Sequence, residues 1–284
     1  MTPVPTPDHA TVGERSIRER VADTLLAAGR RWSADVALDW RAPAVVFAPH
    51  PDDEVLGCGG TIALKALAEA PVQIAIMTDG RTSHAQFVDA PTLIEMRRSE
   101  AIEASRSLGL DPSCYTFLQC EDNRLAEDAD RARARVCELL QRHRPAQVFV
   151  PHRRDRLPDH VATYQIVTSA VRECGRRVTV LEYPVWLWNS WPWTRERLGW
   201  RHAATGLPRT LRGGAEIAFG CCVRVDVRSV LAKKREALQR YRSQTQRRGD
   251  DPRWPVLSDV AEGTFIECFY SGVELFRPSE LGGA

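Results

Sequence analysis

The sequence of 284 residues is nearly devoid of lysine: Lys65, Lys233 and Lys234 stand against 36 arginines. It also lacks a charge excess, with 39 basic and 37 acidic residues and a net charge of +2. Acidic residues are interspersed among the arginines, so no clean basic tract forms and no nucleic-acid partner is expected. No apolar run approaches the roughly 20 residues of a membrane-spanning helix, so no membrane span is expected. The eight cysteines include no Cys-x-x-Cys pair, which argues against a zinc knuckle. The opening MTPVPTPDHATVGERS lacks the charged-then-apolar pattern of a signal peptide. These absences lead to the expectation of a cytoplasmic protein with reduced thiols, free to form a homo-oligomer.

What is present is the composition of a globular α/β protein, 43% hydrophobic and 27% charged. Residues 1–12, rich in Pro and Thr, read as a flexible N-terminus, and 13–284 as a single domain. After a helix expected over 14–28, short continuous apolar runs recur at 44–49, 72–78, 114–118, 146–151 and 177–183. Each is of the kind a strand buried on both faces requires. Helical stretches are expected between them, near 59–70, 92–109, 126–143 and 159–174, with Gly109 as a stop. Strands alternating with helices at this spacing predict a Rossmann-like three-layer α/β fold with a mainly parallel sheet. A C-terminal extension adds strand and helix. EIAFGCCVRVDV (216–227) reads as a long strand or a strand pair, and 229–244 as a helix.

Ligands of open parallel sheets bind beyond the carboxyl ends of the strands. Two such ends carry unusual residues. The first apolar run leads into His50-Pro51-Asp52-Asp53-Glu54, and the fourth into a loop ending Leu157-Pro158-Asp159-His160. Three adjacent acids at a low-dielectric edge repel one another unless a positive group compensates. A divalent metal would supply that charge. His50 and Asp53 could point at one ion, with His160 as third ligand and an open position for water. Asp52 would then stand beside the metal, able to take a proton from that water. On spacing alone, an acidic turn that caps a helix accounts for the cluster equally well. The glycines at 57, 59 and 60 do not make a phosphate loop, because GCGG is not GxGxxG and three acids precede it.

PHPDDEVLGCGGT resembles the signature of the PIG-L/LmbE-type zinc-dependent N-acetylglucosaminyl deacetylases. The likeness extends through MTDG at 77–80, Arg97 and Glu100, the Leu-Gly of 108–109, Pro-Asp-His at 158–160 and KREALQRYRSQ, covering about 43–245. The resemblance implies Zn2+, or another divalent metal, held by His50, Asp53 and His160, with Asp52 as general base. It implies an enzyme that removes an N-acyl group, an N-acetyl above all, from an amino sugar or glycoconjugate. Arg97 and Asp122 fall where members bind sugar hydroxyls. Asp159 is expected to cap the helix that follows it.

Two departures stand out. The family's first His of His-Pro-Asp-His is Leu157 here, and a leucine cannot protonate a leaving amine. Asp52 would then shuttle the proton alone, or His152 or Asp155 would substitute, or the chain is an impaired or non-catalytic carbohydrate-binding homologue. An amidase for a larger acyl group is a further alternative. The second departure is Arg81, where many members carry Glu; it could greet an acidic substrate or be a surface residue. Trp186, Trp188, Trp191 and Trp193 offer stacking faces or simply a packed loop.

Overall fold

The computed structural model describes residues 16–30, 38–194 and 203–282. The tail expected at 1–12 lies outside them. After α1 (Ile17–Arg30), four βα steps and a fifth strand follow: β1 (Ala44–Ala48), α2 (Asp53–Leu67), β2 (Val72–Thr78), α3 (Ala90–Leu108), β3 (Tyr115–Cys120), α4 (Ala129–His143), β4 (Gln147–Pro151), α5 (Pro158–Glu173) and β5 (Val178–Tyr183). The extension contributes α6 (Ala203–Ala215), β6 (Val223–Asp226), α7 (Leu231–Arg240), α8 (Arg242–Thr245), α9 (Thr264–Cys268) and β7 (Val273–Leu281).

The strands form one sheet in the order β3-β2-β1-β4-β5-β7-β6. The first five are parallel, whereas β7 runs antiparallel to both β5 and β6. Side chains of a strand alternate between faces, and β1 serves both. Val46 and Ala48 pack in the core that includes Leu56 and Ile62 of α2 and Leu238 of α7. Val45 and Phe47 pack in the other core, with Val136 of α4 and Val167 of α5. This is the three-layer α/β architecture expected, with the extension completing one edge.

Three local expectations need correction. The helix after β1 starts at Asp53 rather than near 59, so the acids occupy its first turn. Its glycines lower helix propensity but are required by packing. A Cβ on Gly57 would meet the Tyr183 ring at 2.2 Å, and one on Gly60 would meet Val227 at 2.5 Å. Residues 216–220 form a π-helical turn continuing α6, and only 223–226 are strand. Consecutive burial of Ile217 and Ala218 suits a helix rather than an alternating strand. The helix expected over 229–244 breaks at Tyr241, whose hydroxyl turns inward to Glu54.

β1 and β4 are neighbours, yet β2 lies on one side of them and β5 on the other. Their carboxyl ends therefore bound a topological switch point, where open α/β sheets place their ligands.

Candidate metal centre

His50 follows β1 and Asp53 opens α2, while His160 lies in the first turn of α5, after β4. The switch point brings all three together. Nδ1 of His50 lies 3.1 Å from Oδ2 of Asp53, and Nε2 of His160 lies 3.2 Å from the same oxygen. Ligand atoms of the three residues fall within 4.8 Å of one another. Ligands on a tetrahedral ion with bonds near 2.0–2.1 Å sit about 3.3 Å apart.

The site fits a divalent cation on a second observation. His160 is fully buried, and its Nε2 has no hydrogen-bond partner despite its closeness to Asp53. Nitrogen and carboxylate are at ion-pair distance but not aligned with each other, so both remain available to a third body. A buried polar atom without a partner is costly, and a cation bound between the two would satisfy it.

Each imidazole is held by carboxylates on its far side. Nδ1 of His160 is 3.0 Å from Oδ2 of Asp155, which also accepts the Val185 amide. Nε2 of His50 is 3.2 Å from Oδ1 of Asp122 and 3.4 Å from Oδ2 of Asp159. Such carboxylate–histidine pairs fix ring orientation and tautomer in metal sites. Asp159 is not the cap expected. The N-cap position of α5 is Leu157, and Asp159, inside the first turn, accepts the amides of Asn123 and Leu125 instead. Its side chain ties the loop after β3 to the helix after β4.

The electrostatics follow from burial and crowding. Burial alone would lower the His50 pKa, but Asp122, Asp159 and Asp53 outweigh it and hold the imidazolium well above the usual range. Burial raises Asp53, and the two imidazoles more than reverse this, leaving it well below an ordinary carboxylate. Asp52 is pushed up to about 8, by burial first, with Arg97 pulling it back and Asp53 and Glu54 adding to the rise. A cation at the triad would join Arg97 in drawing it down.

Asp52 itself is in an unusual backbone conformation, φ 122° and ψ −27°. Such strain costs about 1–3 kcal/mol and persists only where surroundings enforce it. Here its carbonyl accepts the amides of Val55 and Leu56 at 3.0 and 2.9 Å, and its amide donates to Glu54 at 3.1 Å. Arg97 closes the arrangement: its Nη2 lies 3.2 Å from Oδ2 of Asp52 and donates to the Pro51 carbonyl.

His50, Asp52, Asp53, Arg97 and Asp122 line a cavity of about 180 Å³. Thr82, Ser83 and Asn123 form part of its polar wall, and Leu56, Leu157, Trp186 and Leu257 an apolar one. Thr82, Ser83, Asn123, Gln244 and Leu257 went unnoticed in the sequence, where they are short segments with no distinctive spacing. Arg81 is not brought to this wall: its guanidinium pairs with Asp79 at 2.6 Å. His152 turns away, toward Glu216 at 3.4 Å, and Asp155 is engaged by His160. Neither lines the cavity beside Leu157. Of the tryptophans, Trp186 stacks on Phe265 at the cavity, Trp188 and Trp193 pack edge to face, and Trp191 is partly exposed.

The sequence profile of the family described as PIG-L, GlcNAc-PI de-N-acetylase, matches residues 45–171. The chain is 30% identical over 162 residues to the 1D-myo-inositol 2-acetamido-2-deoxy-alpha-D-glucopyranoside deacetylase of Mycobacteroides abscessus, covering 48% of this chain and 57% of that one. It is 31% identical over 134 residues to a probable N-acetyl-alpha-D-glucosaminyl L-malate deacetylase 2 of Bacillus cereus, covering 45% and 59%. The chain thus spans less than two thirds of either relative. Its fold is similar to that of the N,N'-diacetylchitobiose deacetylase from Pyrococcus horikoshii, with TM-score 0.63, 20% identity and 94% of each chain covered.

Proposed function

We propose that this chain, whose residues 45–171 match the PIG-L family profile, is a PIG-L/LmbE-type metal-dependent hydrolase that removes an N-acetyl group from an amino sugar or glycoconjugate. The observation that carries the reading is the convergence of His50, Asp53 and the partnerless Nε2 of His160 beside a polar-walled cavity. Two imidazoles and one carboxylate are the donor set of a catalytic rather than a structural zinc site. A divalent ion held there supplies Lewis-acid activation of water and polarisation of the amide carbonyl.

The chain's own residues do the rest. Asp52 accepts a proton from the attacking water and, with Leu157 in place of a histidine, returns it to the departing amine. Arg97 fixes the Asp52 carboxylate and keeps its charge tolerable in a buried place. Asp155, Asp122 and Asp159 hold the two imidazoles in register. Thr82 donates through both its amide and its hydroxyl to Asp122, at 3.0 and 2.7 Å, and so fixes the carboxylate beside His50.

Incubation of zinc-supplied protein with N-acetylglucosamine glycosides, scoring free amine, tests the reading. Amine release that a chelator stops and added zinc restores is the expected result. A protein that binds metal and sugar but frees no amine is a carbohydrate-binding homologue, and the hydrolase reading fails.

One observation favours a second reading. The apolar wall of Leu56, Leu157, Trp186 and Leu257 suits an acyl chain longer than acetyl. Comparing N-acetyl with N-butanoyl and N-hexanoyl donors separates the two, because a longer-chain amidase shows the higher kcat/KM on the longer donors.

A further inference from the structure

The positive φ of Asp52, 122°, is kept by bonds on both sides of the residue. Its carbonyl accepts the amides of Val55 and Leu56 in α2, and its own amide donates to Oε2 of Glu54 at 3.1 Å. Planar peptides leave φ and ψ as the only soft backbone angles of a residue. With both flanking planes pinned, the Cα–Cβ bond of Asp52 has one direction, and it sets the carboxylate beside Arg97 at the cavity.

Glu54 does not hold that amide by itself. Its side chain is long, fully buried and absent from the cavity lining. Ordering such a side chain costs rotamer freedom that other contacts must offset. Its second oxygen, Oε1, accepts the hydroxyl of Tyr115 at 3.2 Å and, more closely, the hydroxyl of Tyr241. Hydroxyl-to-carboxylate bonds are the short, strong kind.

Tyr241 is also fully buried and is fixed from its own side. It marks the break between α7 and α8, and its carbonyl accepts the amides of Gln244 and Thr245, both at 3.0 Å. Ser243 anchors the same turn, donating through amide and hydroxyl to Glu100 of α3, each at 2.7 Å. Gln244 lines the cavity. A single residue of the extension thus ties one wall of the cavity to the turn at Asp52.

We propose that Tyr241 is a positioning residue: through Glu54 it locks the turn at Asp52 and so aims the carboxylate that moves the proton. That this carboxylate moves a proton rests on the function proposed above; that Tyr241 locks the turn does not.

Amide hydrogen exchange in the zinc-loaded full chain, read residue by residue by NMR, tests the lock without any turnover. Tyr241→Phe removes one hydroxyl and is expected to speed exchange at the Asp52 amide about tenfold or more. Exchange in β4 and the zinc content are expected to stay as in the unmodified protein. Should Tyr241→Phe loosen β4 as well, a second pair decides. Glu54→Gln, which keeps an oxygen for the Asp52 amide, is expected to exchange more slowly there than Glu54→Leu, which keeps none. Equal exchange at Asp52 within either pair overturns the lock. A second arm measures amine release from an N-acetylglucosamine glycoside. A kcat about tenfold lower in Tyr241→Phe at unchanged KM supports an aimed base. Faster exchange at unchanged kcat overturns the link to proton transfer. Tyr241-dependent exchange in a protein that frees no amine from any sugar leaves the lock standing and removes the hydrolase.

Discussion

Nδ1 of His160 lies 3.0 Å from Oδ2 of Asp155, so the opposite nitrogen of the same ring is aimed at Asp53. On the proposed reading Asp155 is therefore a positioning residue for a metal ligand. Asp155→Asn keeps an oxygen for the Val185 amide but weakens the grip on the imidazole. It is expected to lower zinc affinity about 10–100-fold, read by chelator competition, with circular dichroism unchanged. Unaltered affinity would show that the ring is held by packing alone.

Leu157 lines the cavity and stands where the family resemblance implies a histidine. Leu157→His is expected to raise kcat for N-acetyl substrates by about 10²-fold, the usual contribution of a placed acid. Stopped assays across pH 6–8 would measure it. An unchanged kcat would mean that Asp52 alone delivers the proton without loss.

Arg97 is buried against Asp52 rather than extended toward a sugar. Arg97→Met is expected to lower kcat about 10²-fold with little change in KM, because on the proposed mechanism it disturbs the group that moves a proton in the transition state. The opposite split, a raised KM at unchanged kcat, would return Arg97 to the hydroxyl contact that the family resemblance implies.

Lys65 gives a prediction for stability. Its ammonium donates to the carbonyls of Asp39 and Ala42, and burial lowers its pKa to about 8 against the opposing pull of Asp39. The unfolded chain keeps that proton up to its ordinary value of 10.5, whereas the folded chain releases it near 8. Between these values the unfolded state binds more protons, so stability rises with pH. Lys65→Met is expected to remove this rise, as read in urea unfolding midpoints at pH 8, 9 and 10. An identical slope in both proteins would refute the assignment.

Much of this architecture is legible in the sequence, for a physical reason. A strand buried on both faces must be a continuous apolar run, and five such runs mark β1 to β5. The cluster His50 to Glu54 stands out because adjacent acids after a buried strand demand compensation. What the sequence hides depends on distant partners. The start of α2 at Asp53 is masked by three glycines, and the need for two of them, Gly57 and Gly60, is set by Tyr183 and Val227, far along the chain. The partner of Arg97 lies 46 residues away at Pro51 and nearby Asp52. Asp159 resembles a cap in sequence because only the fold reveals the loop at 123–125 whose amides it receives.

The most direct test of the central claim is the metal content of the purified protein after zinc loading and removal of excess, measured by elemental analysis alongside Asp53→Ala and His160→Ala. The account predicts about one equivalent of tightly held metal in the unmodified chain and a sharp loss in both variants. A chain that takes up no zinc, or variants that keep the full equivalent, would contradict it.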